Sequence, residues 1–344
     1  MPSNEPRKYW GAVAPVAPAA TIAEQARQQE IAGLYGTLAL QVYGPPWISL
    51  TAAATSTSKL QLMSWVALAF TRSPFETAMA AIDVDRISDG RFVLGLGPTV
   101  RSFSEGIFGC PGYGKPLEHL RETIDVIRLV TQKAHTGELK TFKGKYYSFD
   151  WSEFQGSAPP LRVDIPIYLP AVGGPMIEMA AEIGDGLIGH PVWSVPWATE
   201  TVPGHVARGL TRAGRKRSDL HVCLAFYATP NYDRKQSIED ARGCTAFYAG
   251  VEQYEKYYVA HGYGAEAKAM QEGVKRQDYQ GVASLVSDEM ASTFVLTGTP
   301  EEVRAKIEPA WRFADSIAIL PPVLTLTPEK SAAYFETIIE KVCM

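Results

Sequence analysis

Nucleic-acid-binding charge is the first thing missing. The 344 residues carry 33 Lys and Arg against 37 Asp and Glu, a formal net charge of −4, and no long basic run. Such a balance argues against nucleic acid as the main partner. Long apolar runs are missing too: no 18 consecutive apolar residues occur, so no segment reads as a membrane span. The opening MPSNEPRKYW lacks the apolar core of a signal peptide. Cysteine is scarce. Cys110, Cys223, Cys244 and Cys343 are widely scattered without metal-type spacing, and read as free thiols in a reducing compartment. No linker-like or low-complexity stretch divides the chain, and no pair of carboxylates stands at neighbouring strand ends, which disfavours a glycosidase. The expectation is a cytoplasmic protein, one domain over residues 1–344, with no metal site and a small-molecule substrate.

What is present is alternation. Short apolar runs at 9–14, 37–42, 60–66, 92–96, 165–170, 187–189, 220–227 and 316–320 read as strands, with helical patterns between them. Ser73-Pro74-Phe75-Glu76 reads as a capping box with proline at the first helical position, and Thr299-Pro300-Glu301-Glu302 caps a later helix. Eight βα units predict an α/β fold of the (β/α)8 TIM-barrel type, with insertions at about 135–164 and 233–292. A doubly wound sheet is the alternative, and the even spacing of the units disfavours it.

The chain is organised around Ser88 to Arg128. Phe92 to Leu96 is a buried strand closed by Gly95 and Gly97, and Pro116 opens a helix with Leu117, Leu120, Ile124 and Ile127 on one face. The glycines let something large approach the backbone, or else merely make a tight βα turn. Arg101 and Glu105 follow in the loop where α/β enzymes keep their chemistry. Gly173-Gly174-Pro175 opens another helix, whose free N–H groups suit an anion. His190 follows a strand end and reads either as a hydrogen-bonding site residue or as a structural histidine.

The runs AFTRSPFETAMAAIDVDRISDGRFVLGLG, SEGIFG, KPLEHLRE, PIYLPAVGGPMIEMAAEIGDGLIGHP and VLTGTPEEV resemble the luciferase-like monooxygenase superfamily, most closely the branch using the deazaflavin coenzyme F420. The likeness spans about residues 20–340. It implies a barrel binding F420, or alternatively FMN, at the strand C-termini, and hydride transfer between deazaflavin C5 and a small organic substrate. It also implies a homodimer-forming enzyme, a non-prolyl cis peptide at Ser64–Trp65 supporting the ring, the phosphate-bearing chain near Gly173, Gly174 and Pro175, and Glu105 as a carboxylate beside the reacting ring. Gly97 would lie under the cofactor, and Arg101, Arg72 and Lys115 could meet its anionic tail. One departure matters. After the second strand the family usually carries an acid and then a histidine, whereas this chain has Gln41-Val42-Tyr43. Glutamine does not exchange protons near pH 7, so Tyr43, Glu105 or water must supply the proton for reducing an activated C=C or C=O, with Tyr43 and Trp47 walling an apolar pocket. An FMN-dependent two-component monooxygenase and a non-catalytic flavin-binding protein are the other readings.

Overall fold

Eight short parallel strands close on themselves in the computed structural model, which describes residues 6–344. In chain order they are β1 (Tyr9–Val13), β2 (Gly36–Leu40), β3 (Gln61–Trp65), β4 (Phe92–Gly97), β5 (Ile167–Ala171), β6 (Gly186–Gly189), β7 (His221–Pro230) and β8 (Ser316–Leu320). Each pairs with the next, and β8 pairs back onto β1 through Tyr9 opposite Ile317. The (β/α)8 barrel is thus confirmed, with every expected strand in place.

The helices wrap the ring: α1 (Ala19–Ile31), α2 (Trp47–Ala54), α3 (Pro74–Ile87), α4 (Pro116–Lys133), α5 (Gly174–Ile183) and α6 (Val202–Ala213) follow the first six strands. After β7 come α7 (Arg234–Ala249), α8 (Glu255–Ala260), α9 (Gly264–Lys275), α10 (Tyr279–Ser284) and α11 (Asp288–Phe294), then α12 (Pro300–Ile307), and after β8 α13 (Pro328–Thr337). Among the described residues no helix is long and apolar enough to cross a membrane.

Period-two alternation fills the barrel. Trp10, Leu38, Met63, Val93, Tyr168, Ile188, Cys223 and Ala318, one from each strand in turn, make a separate buried cluster inside the ring. The opposite strand faces pack against the helices, where burying each Leu or Ile contributes about 1.5–3 kcal/mol. Gly33 and Gly90 end α1 and α3 in left-handed conformations (φ +75° and +76°), which glycine adopts without steric cost.

Several local expectations change. Leu117 is 36% exposed, so the buried face of α4 starts at His119 and Leu120. Ser73 caps α3 by accepting from the Phe75 N–H, but Glu76 does not complete a capping box; it reaches toward Arg72 instead. The Thr299–Glu302 box forms in full. The excursion at 135–164 contains a small hairpin, Phe142–Lys143 against Ser148–Phe149. Its last part is tied to the barrel by Arg162, which forks onto the buried carboxylate of Asp85 at 2.7 and 3.1 Å. A further strand, Val295–Gly298, pairs in parallel with the far end of β7, Tyr227 to Pro230.

Candidate functional site

The C-terminal ends of the strands gather the chemistry. At the end of β2, Gln41 Oε1 accepts from the Leu68 N–H (3.0 Å) and from Arg72 Nη1 (3.2 Å). Arg72 also lies 5.6 Å from the centre of the Trp47 ring, and Trp47 heads α2 in a buried position. Tyr43 stands 65% exposed in the following loop, so it is a rim residue and not a wall.

On β3 the Ser64 hydroxyl is fully buried and donates to the Gly95 carbonyl at 2.8 Å. The cis peptide lies one bond later than expected, between Trp65 and Val66. The chain then turns so that Ala67–Leu68 pair with Leu96 and Gly97 of β4. A side chain on Gly95 would collide with the Ser64 carbonyl, and one on Gly97 with the Pro170 ring. At both glycines the space of the missing Cβ is thus taken by a neighbouring strand.

Above β4, Arg101 and Glu105 face each other across one turn, Nη1 to Oε1 at 2.8 Å. Glu105 also accepts from the Tyr113 N–H, while Arg101 donates to the Gly114 carbonyl and covers the Tyr113 ring. The side chains are 36% and 56% exposed, so Glu105 is a paired loop carboxylate and not the sheltered acid the sequence suggested. Lys115 is more exposed still and pairs with Glu118.

At the end of β5, Gly173 is the N-cap of α5, extended at φ −112° and ψ 166°, without a side-chain cap. No positive φ is needed there. None of the described residues lies within 4 Å of where its Cβ would stand, and Pro175 occupies the first turn. An uncapped ten-residue helix with open space before it fits an anionic group such as a phosphate. Gly174 differs: a Cβ there would strike the His205 ring, which bonds to Glu178 at 2.9 Å. His205, Arg208 and Arg212 together hold the Glu178 carboxyl down to about 2.

The largest surprise is at β6. His190 Nδ1 accepts from the Val192 N–H (3.3 Å), which leaves the proton of the neutral ring on Nε2, facing the Tyr254 hydroxyl at 3.0 Å. Burial pushes His190 down to about 3, so the imidazole is neutral at physiological pH. Burial also raises Tyr254 to about 12. Tyr248 packs against both rings and its hydroxyl meets that of Tyr227 at 2.9 Å. Because Tyr254 oxygen accepts from His190, its own O–H is left free to donate. Nearby, Ser194 accepts from the Trp197 N–H and donates to His261 Nε2, whose Nδ1–H is held by the Tyr257 carbonyl. That contact latches the α8 segment onto the loop after β6.

The strand order thus brings Ser64, Trp65, Gly173 to Pro175 and His190 to one end of the ring, with Arg101 and Glu105 on a loop above it. Tyr254, Tyr248 and Arg72's link to Gln41 were not visible in sequence. The only hint was the density of tyrosine at 248, 254, 257 and 258.

Comparisons with known proteins agree with this architecture. Residues 5–312 match the luciferase-like monooxygenase family. The chain is 30% identical to the 5,10-methylenetetrahydromethanopterin reductase of Archaeoglobus fulgidus over 263 residues, 75% of each chain. It superposes on the coenzyme F420 dependent tetrahydromethanopterin reductase from Methanopyrus kandleri with a TM-score of 0.82 at 22% identity, covering 98% of this chain and 99% of that one. The oxygenating constituent of 3,6-diketocamphane monooxygenase from Pseudomonas putida, solved with FMN, aligns with a TM-score of 0.68 at 14% identity over 98% of each chain.

Proposed function

The chain belongs to the luciferase-like monooxygenase family, and on that premise we propose that it is a coenzyme F420-dependent oxidoreductase reducing an activated C=C or C=O of a small organic substrate. The observation that carries this reading is the 30% identity, over three quarters of each chain, with a methylenetetrahydromethanopterin reductase. Its support in the site is the uncapped, open N-terminus of α5, which suits the phosphate of such a cofactor.

When bound, the deazaflavin supplies a hydride. The chain's own residues then have two tasks. Gly173 and the first turn of α5 would hold the phosphate through backbone N–H groups and the positive end of the helix dipole. Tyr254 would hold the proton: its O–H is free to donate, and His190 Nε2–H steadies the oxygen as negative charge develops. Burial raises this hydroxyl to about 12, still below the ~15.7 of water, so passing its proton to an alkoxide-like oxygen runs downhill. This moves the donor from Tyr43 or Glu105, which lie exposed, to a residue the insertion supplies.

The experiment is a fluorescence titration of the purified protein with F420 and with FMN. Binding of F420 about tenfold tighter, a gap of roughly 1.4 kcal/mol, is the expected result. Equal affinity or a preference for FMN overturns the cofactor assignment and favours the oxygen-using side of the family.

A further inference from the structure

Arg72 differs from the other sheltered arginines. Arg91 donates five hydrogen bonds, to the Ser88, Leu60, Ala54 and Thr57 carbonyls and the Thr57 hydroxyl. Arg162 forks onto Asp85 and also reaches the Phe92 carbonyl. Arg72, with only 15% of its side chain exposed, makes a single hydrogen bond among the described residues, to Gln41 Oε1. Glu76, its ionic neighbour, lies at 3.9 Å, beyond hydrogen-bond reach, and is itself 55% exposed. An exposed pair of that kind contributes little.

The groups around Arg72 repeat the imbalance. Because the Leu68 N–H donates to Gln41, the amide oxygen must face it, which fixes the orientation of the amide. Gln41 Nε2 is then left buried with no acceptor among the described residues. The indole N–H of Trp47, whose ring lies against the guanidinium, is likewise buried without a partner. A cation, an amide and an indole thus meet where donors outnumber acceptors. Burying a donor without a partner costs stability, which an incoming acceptor recovers.

We propose that Arg72 and Gln41 form an oxyanion subsite that takes the carboxylate of the substrate, an assignment that rests on the strand ends being the active site. A guanidinium presents paired donors that match a planar carboxylate, and a partly desolvated one binds it more strongly than a surface lysine does. Trp47 lies beside it, so the favoured ligand has an apolar body next to its anionic group. The other oxyanion at hand is the cofactor's phosphate. The α5 N-terminus offers that group its own place, two strands round the ring from β3 and three from β2, which leaves Arg72 to the substrate.

Gln41→Glu tests this directly. The new carboxylate would accept from both Arg72 and the Leu68 N–H, neutralising the subsite from within. The probe is sodium benzoate, read as the rise in thermal midpoint over sodium chloride at equal ionic strength. Wild type should respond, and Gln41→Glu should bind benzoate at least tenfold more weakly. Arg72→Gln, which removes the charge, should lose the response as well. No wild-type shift beyond chloride, or an undiminished response in both variants, overturns the proposal. A Gln41-dependent response to inorganic phosphate but not to benzoate overturns the carboxylate assignment. So does a tenfold loss of F420 affinity in Gln41→Glu, because the anion would then be the cofactor's own. A wild type that responds to benzoate yet fails to bind F420 upholds the subsite and strikes only the cofactor reading.

Discussion

Replacing Gly173 with Asp separates phosphate binding from folding. The backbone there is extended, and a Cβ meets none of the described residues within 4 Å, so the substitution adds no steric strain. Aspartate is moreover a better N-cap than glycine by a few tenths of a kcal/mol, and its charge at a helix N-terminus adds about 0.3–1 kcal/mol. The apo protein should therefore melt at the same temperature or roughly a degree or two higher. Binding should move the other way. A carboxylate about 5 Å from a phosphate charge repels it by about 0.8 kcal/mol in water-like surroundings and about 3 kcal/mol at an effective dielectric of 20. The F420 dissociation constant should rise by about 4-fold to 150-fold. Because the Debye length is about 10 Å at 0.1 M, the gap between variant and wild type should narrow with added salt. The assays are fluorescence titration at two salt concentrations and a thermal melt of the apo protein. An unchanged dissociation constant with an unchanged or raised midpoint refutes the phosphate placement. Gly174 would not serve, because a side chain there strikes His205 and disturbs its bond to Glu178.

Two further outcomes follow from the His190–Tyr254 pair. Tyr254→Phe keeps the ring and removes the hydroxyl, so turnover should fall about 10²-fold while the F420 dissociation constant stays put; turnover within a factor of two of wild type would remove Tyr254 from the mechanism. His190 has a folded value near 3 against about 6.5 unfolded, so its contribution to stability is complete above about pH 6.5 and is lost as pH falls toward 3, by at most about 1.4 kcal/mol per pH unit. Denaturant melts of His190→Gln should therefore show a flatter pH dependence than wild type across that window. His221, also lowered by burial, to about 4, is common to both proteins and cancels in the comparison. Parallel curves would mean that His190 is not held neutral.

The barrel was legible because each ring strand is an apolar run bounded by turn residues, and burial on both faces leaves that run uninterrupted. Val295–Gly298 escaped because it is four residues long and continues directly from α11. Asp85 reads in sequence as one more polar residue on α3; only the fold shows it buried beneath Arg162, 77 residues away. The site was half legible. Local motifs such as Gly173-Gly174-Pro175 carry their chemistry in adjacent residues, so their role can be argued from the chain alone. Gly95 and Gly97 left two readings open because an absent side chain does not reveal what fills its space. Gln41 stood out as a departure from the acid expected there, but its hold on Arg72 spans 31 residues of sequence. Tyr254 lies 64 residues from His190 in an insertion with no periodic link to the strands, and no spacing rule joins them.

The strand at Val295–Gly298 has a consequence for how such a protein can change over generations. It returns to β7 at Tyr227–Pro230, where α7 departs, and the Asn231 N–H and the Gly298 carbonyl close the junction at 2.8 Å. The five helices α7 to α11 therefore leave and rejoin the ring at one point, where their two ends already touch, and they are latched to the loop after β6 through Tyr257 and His261. Loop-closure cost grows only with the logarithm of length, about 0.6 kcal/mol per doubling, so residues can be added at the exposed turns of the segment with little entropic penalty to the ring. Since that segment carries Tyr248 and Tyr254 to His190, changes of length at its turns can reshape what stands over His190 while the eight-stranded ring is left unaltered.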